Sequence, residues 1–265
     1  MSSHSSNGGS LNALLQSATS DGILSAASSA MLSGHLGKVA VAGADGRAAE
    51  DIVATDVTLV TILIDASSSI ESARLEKAVR EGQHALVDAL SGSKEEDSVL
   101  LALWTFNQDM VVVHSFVPVG DAARLDAHNY RPFGSTLLYD TWCEALGANV
   151  AYAQRLRDGG TPCRSIVVVV TDGEDVGSQR RAADCARLSQ DLLASEQFIL
   201  AFVGVGGSDF DAIARGMGVP ASNILVQKDA TPTGLRRAFH MVSQSALRAS
   251  QGKIAPGAAG GFFAP

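Results

Sequence analysis

Val57-Thr58-Leu59-Val60-Thr61-Ile62-Leu63-Ile64 is an unbroken stretch of apolar and β-branched residues, and Asp65-Ala66-Ser67-Ser68-Ser69 follows it directly. A run without polar alternation fits a strand buried on both faces, as parallel strands between two helix layers are. After it, Leu75, Val79, Gly82, Leu86 and Leu90 recur at helical spacing, which predicts a helix over Ile70–Leu90. Ser98–Phe106 and Met110–Val117 read as strands joined by the hairpin-length turn Asn107-Gln108-Asp109. Leu137–Leu156 reads as a helix with Leu138, Trp142, Leu146 and Ala153 on one side, Ser165–Val170 as a second buried strand, and Ser178–Ala194 as a helix. Gln197–Val203 and Asn223–Val226 complete the strands, and Thr231 as N-cap with Pro232 behind it opens the last helix. Strands alternating with helices, plus one hairpin, predict an α/β fold. Its core is a doubly wound, Rossmann-like, mostly parallel sheet with one antiparallel edge strand and helices on both faces.

The 265 residues are 46% hydrophobic, enough for a substantial core. Only 18% are charged, which predicts a surface rich in small neutral residues. A net charge of −8 leaves no basic excess to displace counterions, so nucleic acid and anionic membranes are disfavoured as partners. The longest apolar runs, such as Ile166–Val170, fall far short of the ~20 residues of a membrane helix. Cys143, Cys163 and Cys185 are odd in number and match no zinc or redox spacing, which suits reduced thiols in a cytoplasmic protein. No Lys or Arg precedes Lys38, so no export signal is read.

Residues 1–55 read as an N-terminal arm, partly flexible and partly helical. Met1–Ser10 is a polar tail, and Leu11–Leu36 is Ala/Ser/Leu-rich with Asp21 as its one charge. Leu14, Ile23, Leu24 and Met31 allow short helices ending near Gly34 and Gly37, and Lys38–Asp56 reads as a loop or short strand. Residues 56–250 form the main domain, and 251–265 a Gly/Ala-rich tail ending near Phe262 and Phe263. An arm so poor in charge should fold against something, either its own domain or another chain.

In doubly wound sheets ligands bind beyond the carboxyl ends of the strands. Three polar groups stand there: Asp65-Ala66-Ser67-Ser68-Ser69, Gly134-Ser135-Thr136 before a helix, and Thr171-Asp172-Gly173 after Val167–Val170. Two carboxylates and several hydroxyls are hard oxygen donors that suit Mg²⁺ or Mn²⁺, and the lack of His or Cys disfavours zinc.

On these residues the chain resembles von Willebrand factor type A domains. Their metal-ion-dependent adhesion site is an Asp-x-Ser-x-Ser loop, matched by Asp65, Ser67 and Ser69, with a distant Thr and Asp, matched by Thr136 and Asp172. Gly-Ser-Thr-Leu-Leu-Tyr-Asp around Thr136 and Thr-Asp-Gly-Glu-Asp around Asp172 are also family-like, and the similarity runs from about Asp56 to Ser250. The resemblance implies a cation held by Asp65, Ser67, Ser69, Thr136 and Asp172, with one position left for a partner protein's Asp or Glu. It also implies an AAA+ ATPase as a partner class. Glu174 and Asp175 can point away, bind a second ion or repel an acidic ligand.

The expected function is a non-enzymatic protein–protein interaction module. The alternative is a structural subunit that self-associates through its arm and tail. A metal-dependent hydrolase is weaker still. A haloacid-dehalogenase-type phosphatase needs a second Asp where Ser67 stands, and no Gly-Lys-Ser/Thr phosphate loop occurs. Gly204-Val205-Gly206-Gly207 lacks the dinucleotide spacing and reads as a tight turn. His84, His114, His128 and His240 are read as surface or packing residues, and Ser69 as the cap of the helix after it.

Overall fold

The computed structural model of the chain describes residues 4–34, 38–52, 54–257 and 261–264. Helices α1 (His4–Ser20), α2 (Ala26–Ser33) and α3 (Lys38–Gly43) precede strand β1 (Val57–Asp65). Then follow α4 (Ser68–Ser72), α5 (Glu76–Ser91), β2 (Val99–Phe106), β3 (Met110–Pro118), α6 (Leu138–Asp158), β4 (Cys163–Thr171) and α7 (Ala182–Ala194). The chain continues through β5 (Phe198–Val205), α8 (Phe210–Gly216), β6 (Ile224–Gln227) and α9 (Pro232–Ser250). The strands make a six-stranded sheet in the order β3-β2-β1-β4-β5-β6. Every neighbouring pair is parallel except β2 with the edge strand β3. This is the doubly wound sheet with one antiparallel edge that the sequence predicts.

The unbroken β1 run has its explanation in this order. β1 pairs with β2 on one side and β4 on the other, and all nine of its residues are buried. Successive side chains point to opposite faces. Val60, Ile62 and Ile64 therefore pack with α5 and α9 residues such as Val79, Leu86, Phe239 and Val242. Leu63 packs on the other face with Trp142, Leu146 and Val150 of α6. Thr61 shares that second face, where its hydroxyl accepts a hydrogen bond from Asn149 Nδ2 at 2.9 Å.

Helix α6 is buried on nearly all sides because α1 and α2 cover the face it turns away from the sheet. Leu11, Leu15, Ala18, Ile23, Leu24 and Leu32 belong to the same apolar cluster as Trp142 and Val150. Asp21, the arm's one charge in the apolar stretch, accepts from Gln154 Nε2 at 2.7 Å. Ser25 N–H donates to Asp191 of α7 at 2.8 Å. At the other end of the chain Phe262 is buried against the α9 face of the sheet, and its N–H donates to Asn223 Oδ1 at 2.7 Å. Leu11, Leu15, Ile23, Leu24, Leu32 and Phe262 are thus covered by the chain itself, while Leu14, Met31 and Phe263 remain half-buried.

Several local expectations differ. Helix α1 begins at His4, inside the stretch read as a polar tail. Lys38–Asp56 contains α3, a Gly46–Phe116 bridge and a 3₁₀ turn over Ala49–Asp51 instead of a plain loop or strand. So short a helix depends on tertiary contact. Gly43 lies so close to Trp104 that a Cβ there would fall 2.0 Å from its ring. The helix expected over Ile70–Leu90 is broken into α4 and α5 at Arg74, whose φ is +56°. Helix α7 starts at Ala182 rather than Ser178 because the preceding residues are held as a loop. Helix α8 was not foreseen, although Asp209, whose carboxylate accepts from Ala212 N–H at 3.1 Å, is a readable N-cap. Gly34 caps α2 as expected, while Leu36 and Gly37 lie outside the described residues.

Because α1 supplies core rather than covering, Leu15, which is fully buried, should behave as a core leucine. Leu15→Ala is expected to lower unfolding free energy by about 2–5 kcal/mol in urea titration. A loss below about 0.5 kcal/mol would place α1 outside the cooperative core.

Candidate functional site

The sheet register brings the expected residues together. Asp65 ends β1 opposite Phe106, and Thr171 ends β4 opposite Gly204, so the loops after both strands start at one level. The third segment is brought in by backbone hydrogen bonds. Phe133 N–H donates to Ala66 O at 2.8 Å, Ser68 N–H to Gly134 O at 3.1 Å, and Leu137 N–H to Asn107 O at 2.9 Å.

Asp65 is fully buried, and each of its oxygens has a partner: Oδ1 accepts from Ser67 N–H at 2.8 Å and Oδ2 from Thr171 Oγ1 at 2.5 Å. Ser67 Oγ and Ser69 Oγ are 2.9 Å apart, and Ser69 Oγ donates to Asp172 Oδ1 at 2.6 Å. Ser69 is therefore not the helix cap that the sequence predicts. Ser67 holds the N-cap position of α4, without a side-chain capping bond, and the Ser69 hydroxyl turns to Asp172 instead. Thr136 is buried beside this web. A Cβ built on Gly173 would sit 3.1 Å from Thr136 Oγ1, 3.6 Å from Ser69 Oγ and 3.8 Å from Asp65 Oδ2. Oxygens of the Asp65 and Thr136 loops thus converge where Gly173 has no side chain, and Asp172 of the third loop joins them through its bond with Ser69. The structure groups all five expected residues.

Two supporting residues lie outside the five expected ligands. Thr171, which the sequence already places in the third polar group, orients the Asp65 carboxylate, and Tyr130 donates its hydroxyl to Asp65 O at 2.6 Å. Tyr130 carries no spacing signal in the sequence. Asp175 does not face the cluster freely. It accepts from Tyr139 N–H at 3.0 Å and Ser178 Oγ at 2.5 Å, satisfying an orphan donor at the start of α6. Asp140 accepts from Gln179 and Arg180 N–H groups, and Arg180 forms a buried ion pair with Glu144 at 3.1 Å. These contacts hold residues 173–181 against α6. Glu174 is exposed.

Burial raises the Asp65 carboxyl to about 6; hydrogen bonds from Ser67 and Thr171 oppose the shift, and the nearby Asp172 charge adds to it. Burial likewise raises Asp172 above the usual carboxylate range, against the Ser69 hydrogen bond. None of the ion pairs among the described residues reaches either carboxylate. A fully buried carboxylate such as that of Asp65, with half-buried Asp172 beside it and no counter-charge among the described ion pairs, is costly, and a cation would relieve that cost. Two carboxylates with three hydroxyls form a hard-oxygen donor set that fits a divalent ion such as Mg²⁺. Among the described residues no three His, Cys, Asp or Glu side chains gather as an alternative metal-binding group. No helix among them is long and apolar enough to cross a membrane.

The chain matches the sequence model of the von Willebrand factor type A domain over residues 60–236. No curated protein matches it. Similar solved structures include proximal thread matrix protein 1 from the mussel byssus, at 16% identity and TM-score 0.50 over 73% of this chain and 47% of that one. The pilus adhesin SpaC from Lactobacillus rhamnosus GG matches at 11% identity and TM-score 0.55, over 74% of this chain and 31% of that one. The PilB minor pilin from Streptococcus sanguinis matches at 10% identity and TM-score 0.52, over 75% and 63%. The chain spans less than two thirds of each of these proteins, and at such identities the likeness is one of fold.

Two measurements test the centre. Mg²⁺ or Mn²⁺ should raise the thermal midpoint of the wild-type protein, and Asp65→Ala, Asp172→Ala and Gly173→Ala should each remove that rise while keeping the circular dichroism of the sheet. An undiminished rise in all three would place the ion elsewhere. The second test follows from the raised Asp65 carboxyl. Its folded-state value of about 6 lies above the ordinary 3.8, so its contribution to metal-free stability is present below 3.8 and lost as pH rises through 6. A cation competes with that proton, so the metal-induced rise should grow between about pH 5 and pH 7, and a pH-independent rise would contradict it.

Proposed function

This chain belongs to the von Willebrand factor type A domain family, and on that premise we propose that it is a non-enzymatic interaction module that holds a partner protein through a divalent cation. Such domains commonly mediate protein–protein interaction; the cation dependence and the kind of partner are the proposal. The observation that carries it is the convergence of Thr136 Oγ1, Ser69 Oγ and Asp65 Oδ2 around Gly173, with Asp172 bonded to Ser69. Asp65, Ser67, Ser69, Thr136 and Asp172 would hold Mg²⁺ or Mn²⁺. Bound there, the ion supplies a concentrated positive charge that attracts a carboxylate. Two aspartates roughly neutralise a divalent ion and the hydroxyls add no formal charge, so the ion remains an acceptor for an Asp or Glu of the partner. An AAA+ ATPase would have to present such a residue to be that partner.

The hydroxyls and imidazoles support binding rather than turnover. Ser69 donates to Asp172, while His84 Nε2 lies 2.8 Å from Leu125 O and His114 Nδ1 2.9 Å from Ser115 O, in structural contacts of their own. A cytoplasmic placement is supported by the cysteines. All three are free and buried, Cys143 and Cys185 are 3.6 Å apart as thiols, and burial pushes the Cys163 thiol up to about 11, away from reactivity.

The test is co-purification of the intact protein with its partner in Mg²⁺ or in chelator. Chelator and Thr136→Ala should each cut recovery of the same partner at least about tenfold, and Thr136→Ala should leave the metal-free thermal midpoint little changed. A partner that survives both treatments binds another face.

A further inference from the structure

Two buried thiols take no part in the oxygen cluster. Cys143 of α6 and Cys185 of α7 are both fully buried, and their sulfurs lie 3.6 Å apart. They share one apolar cluster with Trp142, Leu146 and Leu188. Sulfurs at this distance are in van der Waals contact, so no atom stands between them. Cys185 Sγ also lies 3.6 Å from Tyr139 O, one turn earlier on α6 than Cys143. The third thiol, Cys163, belongs to a different cluster at the start of β4, where its Sγ faces Ala153 O at 3.5 Å. The place of the pair gives a crosslink consequences. The segment between them, 144–184, contains β4, the Asp172 loop and the stretch 173–181, whose Gln179 and Arg180 N–H groups bond to Asp140 of α6. A bond from Cys143 to Cys185 closes that segment into a ring and restricts its unfolded conformations far more than its folded one. Chemical access works the other way. The hydrogen bond with Cys143, and then burial, hold the Cys185 thiol well above its ordinary value, so little thiolate is present and oxidation of the folded chain is slow. A small neutral oxidant that enters on local opening of the helices suits such a site.

We propose that Cys143 and Cys185 are a peroxide-responsive pair, which oxidation converts into a disulfide that links α6 to α7 around the Asp172 loop. One thiol, as its thiolate, attacks an oxygen of hydrogen peroxide. The O–O bond breaks, the departing hydroxide takes up the thiol's proton as water, and a sulfenic acid remains. The second sulfur then attacks the sulfenic sulfur, the S–O bond breaks, and a second water leaves. Two thiols and one peroxide thus give one disulfide and two waters, with two electrons passing from sulfur to oxygen. In a reducing compartment the pair stays as the two thiols of this structure, and a dithiol returns it to them. The inference does not depend on the cation.

The test treats the full chain, in chelator, with about 1 mM hydrogen peroxide for hours and then maps its peptides without reduction. Cys143 and Cys185 should be recovered in one linked pair of peptides, with the Cys163 thiol still free to react with an alkylating agent. The thermal midpoint should rise by roughly 5 °C or more, and dithiothreitol should reverse that rise. Reversal separates the disulfide from methionine oxidation, which a dithiol does not undo. Cys143→Ala and Cys185→Ala should each abolish the reversible rise, and Cys163→Ala should retain it. An alanine in the core can lower stability on its own, so the linked peptides are read from the wild-type chain. Links through Cys163, links between chains, separate sulfinic acids at Cys143 and Cys185, or thiols that stay unmodified would each overturn the inference. A linked pair without a reversible rise in the thermal midpoint overturns it as well.

Discussion

Strand β1 is apolar on both faces, so it can lie only in the middle of a sheet covered by helices on both sides, and its last residue is a carboxylate that water does not reach. Much of the architecture at that end of the molecule answers this constraint. A buried carboxylate needs donors for its oxygens. Ser67 N–H provides one from the loop that continues β1, and Thr171 Oγ1 provides the other from the end of the adjacent strand β4. Even so, the surroundings do not neutralise the charge: burial still holds the Asp65 carboxyl raised, and none of the ion pairs among the described residues reaches it. The proposed cation would supply the missing positive charge.

The loop carrying Asp172 is held from below. Asp140 and Asp175 accept backbone and hydroxyl protons across the start of α6, and Arg180 meets Glu144 in a buried ion pair. Removing one partner of such a pair leaves a buried charge uncompensated, so the pair favours one loop position over others. The carboxylates near the cluster thus divide by role. Asp65 and Asp172 face the shared space, Asp175 and Asp140 fasten the loop, and Glu174 remains at the surface.

The N-terminal helices belong to the same economy of burial. Helix α6 leads away from Thr136, and its small residues allow close approach on two sides, to the sheet and to α1 and α2. A Cβ on Gly147 would meet Leu32 at 2.9 Å, which shows how tightly α2 sits on it. Position at the start of α6, and hence of Thr136, depends on that packing. In the same way Phe262 seals the opposite face near β6 through Asn223, whose amide also donates to Leu200 O at 2.9 Å.

Much of this was legible in the chain without coordinates. The β1 run, the hairpin, the N-cap at Thr231 and the three polar loops at strand ends were each local signals: residue pattern and backbone chemistry act over a few neighbours, and a doubly wound sheet then places such loops together. What the tertiary structure alone decided lies in contacts between residues far apart in sequence. Whether Ser69 capped a helix or bonded Asp172 depended on where the β4 loop lay. Tyr130 reaches Asp65 O from a loop whose path no periodicity describes. The arm's weak periodicity did not say which surface would cover Leu15, because an apolar side chain carries no address and is buried by whichever apolar face the fold presents. Likewise, the exposure of Phe133 and Val176 beside the oxygen cluster is a property of the folded surface, since composition records that a residue is hydrophobic but not whether the finished chain leaves it uncovered.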